Sequence, residues 1–245
     1  MGFSARMLFR ARRPNGEAAG TGALTGQRAV AFSPPGRPLL MRLPMDRTIL
    51  SEKTDKLSEE DQPGMFRHLM ASRTVIVSGS VTSELAARVI QQLILMDHDD
   101  SKKRITLFIN SPGGDFFSGF AIYDTVRYIT APVVSVIVGL AASMGSIIPL
   151  AAPKGSRFAL PHSKFLIHQP LLMGFQGRAT DMEIQAKEIL RDRERVVQIY
   201  AEHTGRNPAE IERDIDRDKW MTPEEAQEYG LIERIIVNRT EIEKR

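Results

Sequence analysis

Apolar positions along the chain fall into two alternating rhythms. Residues 73–79 (Arg-Thr-Val-Ile-Val-Ser-Gly) are dense in β-branched side chains and read as a strand. Thr82 or Ser83 then caps a helix running through Met96, with Leu85, Val89 and Leu93 on one face and Ile90 and Ile94 beside it. A second strand covers 105–109 and is closed by the turn Asn110-Ser111-Pro112-Gly113-Gly114. Phe116, Phe120, Tyr123 and Val126 follow at helical spacing, which predicts a core-facing helix rather than an aromatic platform for a ligand. Residues 133–138 have the composition of a buried strand, and the small residues after Gly139 suit a tight turn into a helix. Short strands are predicted at 157–160 and 164–168. A long helix is predicted over 179–202, with Met182, Ile189, Val196 and Tyr200 on one stripe and the charge run Arg191–Arg195 as a solvated face. Thr222-Pro223-Glu224-Glu225 is a capping box, Gly230 ends its helix, and 231–237 closes as a strand. Alternation of this kind predicts an α/β fold of stacked βαβ units with right-handed crossovers.

Charge refines the organisation. Residues 1–43 hold seven arginines and one acid, Glu17, for a net +6. The remainder carries 26 basic and 29 acidic residues, a net −3, so the formal +3 belongs to a leader and the body is mildly acidic. A nucleic-acid partner is therefore not expected. The leader, with Pro14, Pro34, Pro35 and Pro38, reads as a disordered or processed extension and contains no secretory apolar core. A cytoplasmic location is expected; an organelle matrix is the alternative if the arginine-rich start is a transit peptide. Tyr128–Pro153 lacks charge for long enough to suggest a membrane span, but Pro132, Gly139, Gly145 and Pro149 interrupt it and three serines add hydroxyls. We read it as strand, turn and helix in a core, with no membrane partner.

The chain has no cysteine, which excludes disulfides, thiolate metal sites and a thiol nucleophile. It carries neither a phosphate-binding G-x-x-x-x-G-K-[ST] loop nor an H-E-x-x-H helix, and His68, His98, His162, His168 and His203 lack metal-ligand spacing. Hydroxyl chemistry remains. Ser143, in Gly139-Leu-Ala-Ala-Ser-Met-Gly145, lies between a strand and a helix start, where free backbone N–H groups can stabilise an oxyanion. Gly113-Gly114 can turn an amide toward a pocket. His168 ends a strand. A triad also needs a carboxylate, and periodicity cannot choose among Asp214, Asp216 and Asp218.

In order and spacing, I-N-S-P-G-G (109–114), G-L-A-A-S-M-G (139–145), R-F-A-L-P-H-S (157–163), I-H-Q-P (167–170), G-R-A-T-D-M-E-I-Q-A-K-E-I-L (177–190) and R-D-K-W-M-T-P-E-E-A-Q-E-Y-G-L-I (217–232) resemble the proteolytic subunit of the Clp protease family. The resemblance runs from about 72 to 237. It implies a crotonase-like α/β fold with a protruding strand–helix handle at about 165–202. It implies Ser143 as nucleophile, His168 as base and then acid, Asp218 as orienting carboxylate, and the amides of Gly114 and Met144 as oxyanion hole. Asp216 and Arg217 match positions used in ring–ring contacts. The implied assembly is two stacked heptameric rings, possibly shared with a paralogous subunit. They would degrade unfolded polypeptides delivered by a separate AAA+ unfoldase that spends the ATP, so no cofactor or metal is expected on this chain. The chain then divides into an extension at 1–44, a segment at 45–71 in which the family's axial-loop sequence is not recognisable, a catalytic domain at 72–238 and a charged tail at 239–245. Asp115-Phe116-Phe117 is bulkier and more charged than the family pattern. A non-catalytic or heteromeric ring paralogue acting in assembly is the alternative. An acyl-CoA-handling crotonase is a third reading, against which the complete triad argues.

Overall fold

The computed structural model describes residues 62–171 and 177–243. The expected extension at 1–44, the stretch 45–61 and residues 172–176 of the expected handle lie outside them. In chain order the elements are α1 (Gln62–Ala71), β1 (Thr74–Ser78), α2 (Ser83–Asp99), β2 (Ile105–Ser111), α3 (Phe116–Tyr128), β3 (Val133–Ala142) and α4 (Met144–Ile147), which continues as a 3-10 turn over Ile148–Ala151. There follow β4 (Arg157–Ala159), β5 (Lys164–Ile167), α5 (Ala179–Thr204), α6 (Pro208–Asp214), β6 (Lys219–Met221), α7 (Pro223–Tyr229), β7 (Arg234–Ile235) and α8 (Thr240–Glu243).

The predicted α/β alternation forms. Among the described residues the strands make one seven-stranded sheet in the order β1-β2-β3-β4-β7, all parallel, with β5 branching from β3 and β6 from β5. β2 buries alternate residues, and the first five residues of β3 are all buried, as a central strand covered on both faces requires. Thr82 caps α2 by accepting from the Leu85 N–H at 3.2 Å, and Leu85, Val89, Leu93 and Met96 enter the core. The capping box on α7 is complete in both directions, and Gly230 ends that helix in the left-handed region.

Three elements depart from the sequence expectation. β3 does not stop at Val138. It bends at Gly139 (φ +152°), where any Cβ would lie 2.7 Å from the Asn110 side-chain oxygen, and continues to Ala142. Its first half pairs with β4 (Ser135–Ile137) and its second half with β5 (Leu140–Ala142). β6, antiparallel to β5, is three residues long and carries too little pattern to be read from sequence. β7 covers only Arg234–Ile235, which pair in register with Phe158 and Ala159 of β4. Ile236, just beyond it, still donates its N–H to the Ala159 carbonyl of β4 (2.9 Å), and both it and Ile232 are buried.

α5 is the expected long helix and has two characters. Its C-terminal half buries Val196, Val197, Tyr200 and His203, whereas Met182, Ile184 and Leu190 are more than half exposed. No helix among the described residues is long and apolar enough to cross a membrane.

Candidate active site

The site is built where β2, β3 and β5 end. β2 delivers Ser111, whose hydroxyl donates to the Gly79 carbonyl (2.7 Å) and accepts from the Gly113 N–H (3.1 Å). Val81 then clamps the following loop from outside: its N–H donates to the Gly113 carbonyl (2.8 Å) and its carbonyl accepts from the Asp115 N–H (2.8 Å). The Gly114 N–H between them has no hydrogen-bond partner among the described residues. Gly113 has φ +89° and packs on the end of β3 so closely that a Cβ would lie 2.6 Å from the Ser143 Cβ and 3.0 Å from the Met144 nitrogen. No larger residue fits there.

β3 delivers Ser143. Its backbone stands at φ 54°, ψ −126°, a strained conformation for a residue with a side chain, costing on the order of 1–3 kcal/mol. Both backbone polar groups are held: the N–H donates to Leu166 of β5 (2.9 Å), and the carbonyl accepts from the N–H (2.9 Å) and the hydroxyl (2.6 Å) of Ser146. The strain therefore turns the side chain out of the sheet at the start of α4, where the first N–H, that of Met144, has no partner among the described residues.

Ser143, Gly114, Met144 and His168 share one cleft of about 790 Å³. Phe116, Phe117 and Ile147 form apolar wall, and α5 crosses over it with Gln185, Ile189, Asp192 and Val196. Two expectations change here. Phe116 was predicted to face the core; it packs on Phe120 (centroids 4.7 Å apart) and lines the cleft as well. The charge run of α5 was predicted to be solvated throughout. Asp192 and Arg195, paired at 3.4 Å, instead line the cleft, and burial lifts the Asp192 carboxyl above its ordinary range against the pull of Arg195. The spacing 185, 188/189, 192, 195/196 is one helix face, so the signal was present. What sequence could not supply was that this face lies over Ser143.

His168 follows β5 directly. Its Nδ1–H donates to the carbonyl of Gln169 (2.6 Å), which leaves Nε2 of the neutral ring as an acceptor. Gln169 is tied to the next segment by its N–H to Ile215 (2.7 Å) and its side-chain amide to Asp216 (3.1 Å). On that side His168 lines a second cavity, of about 400 Å³, with Asp216, Arg217 and Asp218. Among the described residues no hydrogen bond joins His168 to Ser143 or to Asp218. Of the three competing aspartates, Asp214 is committed elsewhere: its carboxylate holds Lys219 and the Tyr229 hydroxyl, each at 2.8 Å. Asp216 lies 3.8 Å from Arg217 and, like Arg217 and Asp218, is exposed. No three His, Cys, Asp or Glu side chains cluster as a metal site among the described residues.

A serine with free amides and an imidazole in one cleft has the parts for acyl transfer. The family profile described as Clp protease matches residues 58–239. The chain is 50% identical over 176 residues to the ATP-dependent Clp protease proteolytic subunit 1 of Protochlamydia amoebophila (strain UWE25), a match spanning 71% of this chain and 85% of that relative.

Proposed function

The chain belongs to the Clp protease family and is a serine peptidase, and from that premise we propose that Ser143, His168 and Asp218 are its triad, with Gly114 and Met144 as oxyanion donors. The observation that carries this reading is the convergence of Ser143, His168 and two unpaired N–H groups on one cleft at the ends of β2, β3 and β5. In the first half-reaction, Ser143 Oγ attacks the substrate carbonyl while His168 Nε2 accepts its proton. The oxyanion is bound by the Gly114 and Met144 N–H groups. His168 returns the proton to the leaving amine, and the acyl-enzyme forms. Water then attacks with His168 as base, and collapse restores Ser143. The imidazolium formed in both halves calls for an anion at Nδ1. Asp218, across the smaller cavity, takes over from the Gln169 carbonyl when the ring turns.

The reading extends to the assembly. The chain forms two stacked heptameric rings, alone or with a paralogous subunit, and the exposed first half of α5 with Asp216 and Arg217 supplies ring contacts. Unfolded polypeptides reach the chamber from an AAA+ unfoldase in the cytoplasm, and the unfoldase hydrolyses the ATP. The protease chain needs no cofactor.

Wild-type protein is expected to hydrolyse short fluorogenic peptides and to take a fluorophosphonate label, with both lost in Ser143→Ala and native mass unchanged. Peptide hydrolysis surviving in Ser143→Ala removes Ser143 from its role.

A further inference from the structure

The mechanism above leaves one buried feature next to Ser143 unused. Ser146 and Tyr200 are each 1% exposed, and their hydroxyl oxygens are 2.8 Å apart. Ser146 has a single hydroxyl proton, and that proton is committed to the Ser143 carbonyl at 2.6 Å. The Tyr200 hydroxyl must therefore be the donor to Ser146. A directed chain results, Tyr200 O–H to Ser146 Oγ, Ser146 O–H to Ser143 C=O, and each bond polarises the next. Burial raises the Tyr200 phenol above its ordinary range, so the donor keeps its proton at any pH at which the protein is assayed.

The carbonyl that ends this chain belongs to the same peptide unit as the Met144 N–H. In a planar trans peptide the two point in opposite directions. Drawing the carbonyl inward, under α4 and toward α5, aims the N–H outward, toward the side where Gly113 leaves its Cβ position empty. We propose that Tyr200 and Ser146 are positioning residues, fixing the Ser143–Met144 peptide plane so that the Met144 N–H faces the cleft. Tyr200 acts from the buried half of α5, 57 positions beyond Ser143. The inference rests on the reading of the Met144 amide as an oxyanion donor.

A donor that serves the tetrahedral state and not the bound substrate affects kcat and spares KM. The Ser146 N–H still holds the same carbonyl at 2.9 Å, so loss of the hydroxyl chain loosens the plane without freeing it. In the assembled full-length protein, Tyr200→Phe is expected to lower kcat per fluorophosphonate-titrated site by about tenfold, less than the full loss of one oxyanion donor. KM should stay within about twofold, and a peptide aldehyde, which forms a tetrahedral adduct, should bind weaker by the same factor as kcat falls. Ser146→Ala should do the same, and the double variant should be no worse than Ser146→Ala alone, because the two hydroxyls form one chain. If Tyr200→Phe fails to assemble, Ser146→Ala carries the test. A purely structural role predicts fewer titratable sites with normal turnover at each; that result, or kcat within about twofold of wild type in both variants, overturns the proposal and leaves the triad standing. Hydrolysis by Ser143→Ala overturns both.

Discussion

Ser143 is held by its backbone rather than by its side chain. Its N–H and carbonyl are both bonded, its φ is positive, and Gly113 closes the remaining side. Gly113→Ala would force a Cβ to within 2.6 Å of the Ser143 Cβ and 2.7 Å of the Ala142 carbonyl oxygen, and neither atom sits at the far end of a flexible side chain that could yield cheaply. It is expected to reduce kcat by about 100-fold or more, as removal of an oxyanion donor does, with fluorophosphonate labelling slowed in step. A serine between a buried strand and a helix start was legible from Gly139-Leu-Ala-Ala-Ser143 alone. Its strain was not, because the backbone angle depends on β5 and on Ser146. For the carboxylate, family likeness alone favours Asp218. Asp214 ends α6 and Asp216 and Asp218 follow in the irregular stretch after it, and what separates Asp214 from the others is its engagement with Lys219 and Tyr229, which come from two elements.

At the level of elements, α5 explains why a single amphipathic stripe was too simple a reading. The helix serves three surroundings along its 26 residues: solvent-exposed at its start, over the cleft in the middle, and in the core at its end. The stripe through Met182, Ile189, Val196 and Tyr200 joins all three, so periodicity identified the helix correctly and misassigned its charged segment. The exposed Ile184, at 57%, makes no core contribution, and its replacement by glutamate should leave the melting temperature within a few degrees while lowering the native mass below that of the proposed double ring. Capping signals were the most legible feature of all, because they are local. Thr222→Ala removes the side-chain half of the α7 capping box and should cost about 1 kcal/mol, read as a lowered denaturation midpoint. β6 and the tail of β3 were illegible for the opposite reason: both exist because β5 offers an edge to each.

For the molecule as a whole, the buried polar cluster beneath α5 sets the response to acid. His203 is 8% exposed, and its Nε2 is hydrogen-bonded with the Tyr123 hydroxyl at 2.8 Å. Burial, reinforced by Arg157 and then by Arg127 and Lys154 against the opposing Glu202, lowers its pKa from 6.5 to about 4. The unfolded chain therefore takes up this proton first as pH falls. Stability from neutral His203 is complete above pH 6.5, is lost between 6.5 and about 4, and changes no further below that. The loss amounts to about 3 kcal/mol. Urea titrations across that window should show it, and His203→Gln, which has no titrating ring, should flatten that part of the slope. The layered α/β architecture was visible in sequence because strand and helix rhythms alternate locally. The internal charge field was not, since it joins α3, β4 and α5 across the fold.

The bond from the Ser143 N–H to the Leu166 carbonyl also acts as a ruler. It fastens the Ser143 backbone to β5 at a point only two residues before His168, a span of about 7 Å along an extended chain. The Ser143–His168 separation is thus measured in two strand residues rather than across the 24 residues of helix, loop and strand between them. Insertions among 152–156 or 160–163 can lengthen the path without changing that measure, whereas a single residue added between Leu166 and His168 turns the imidazole to the opposite face of the sheet. The Ser143–His168 spacing is written in the shortest stretch of chain that touches it.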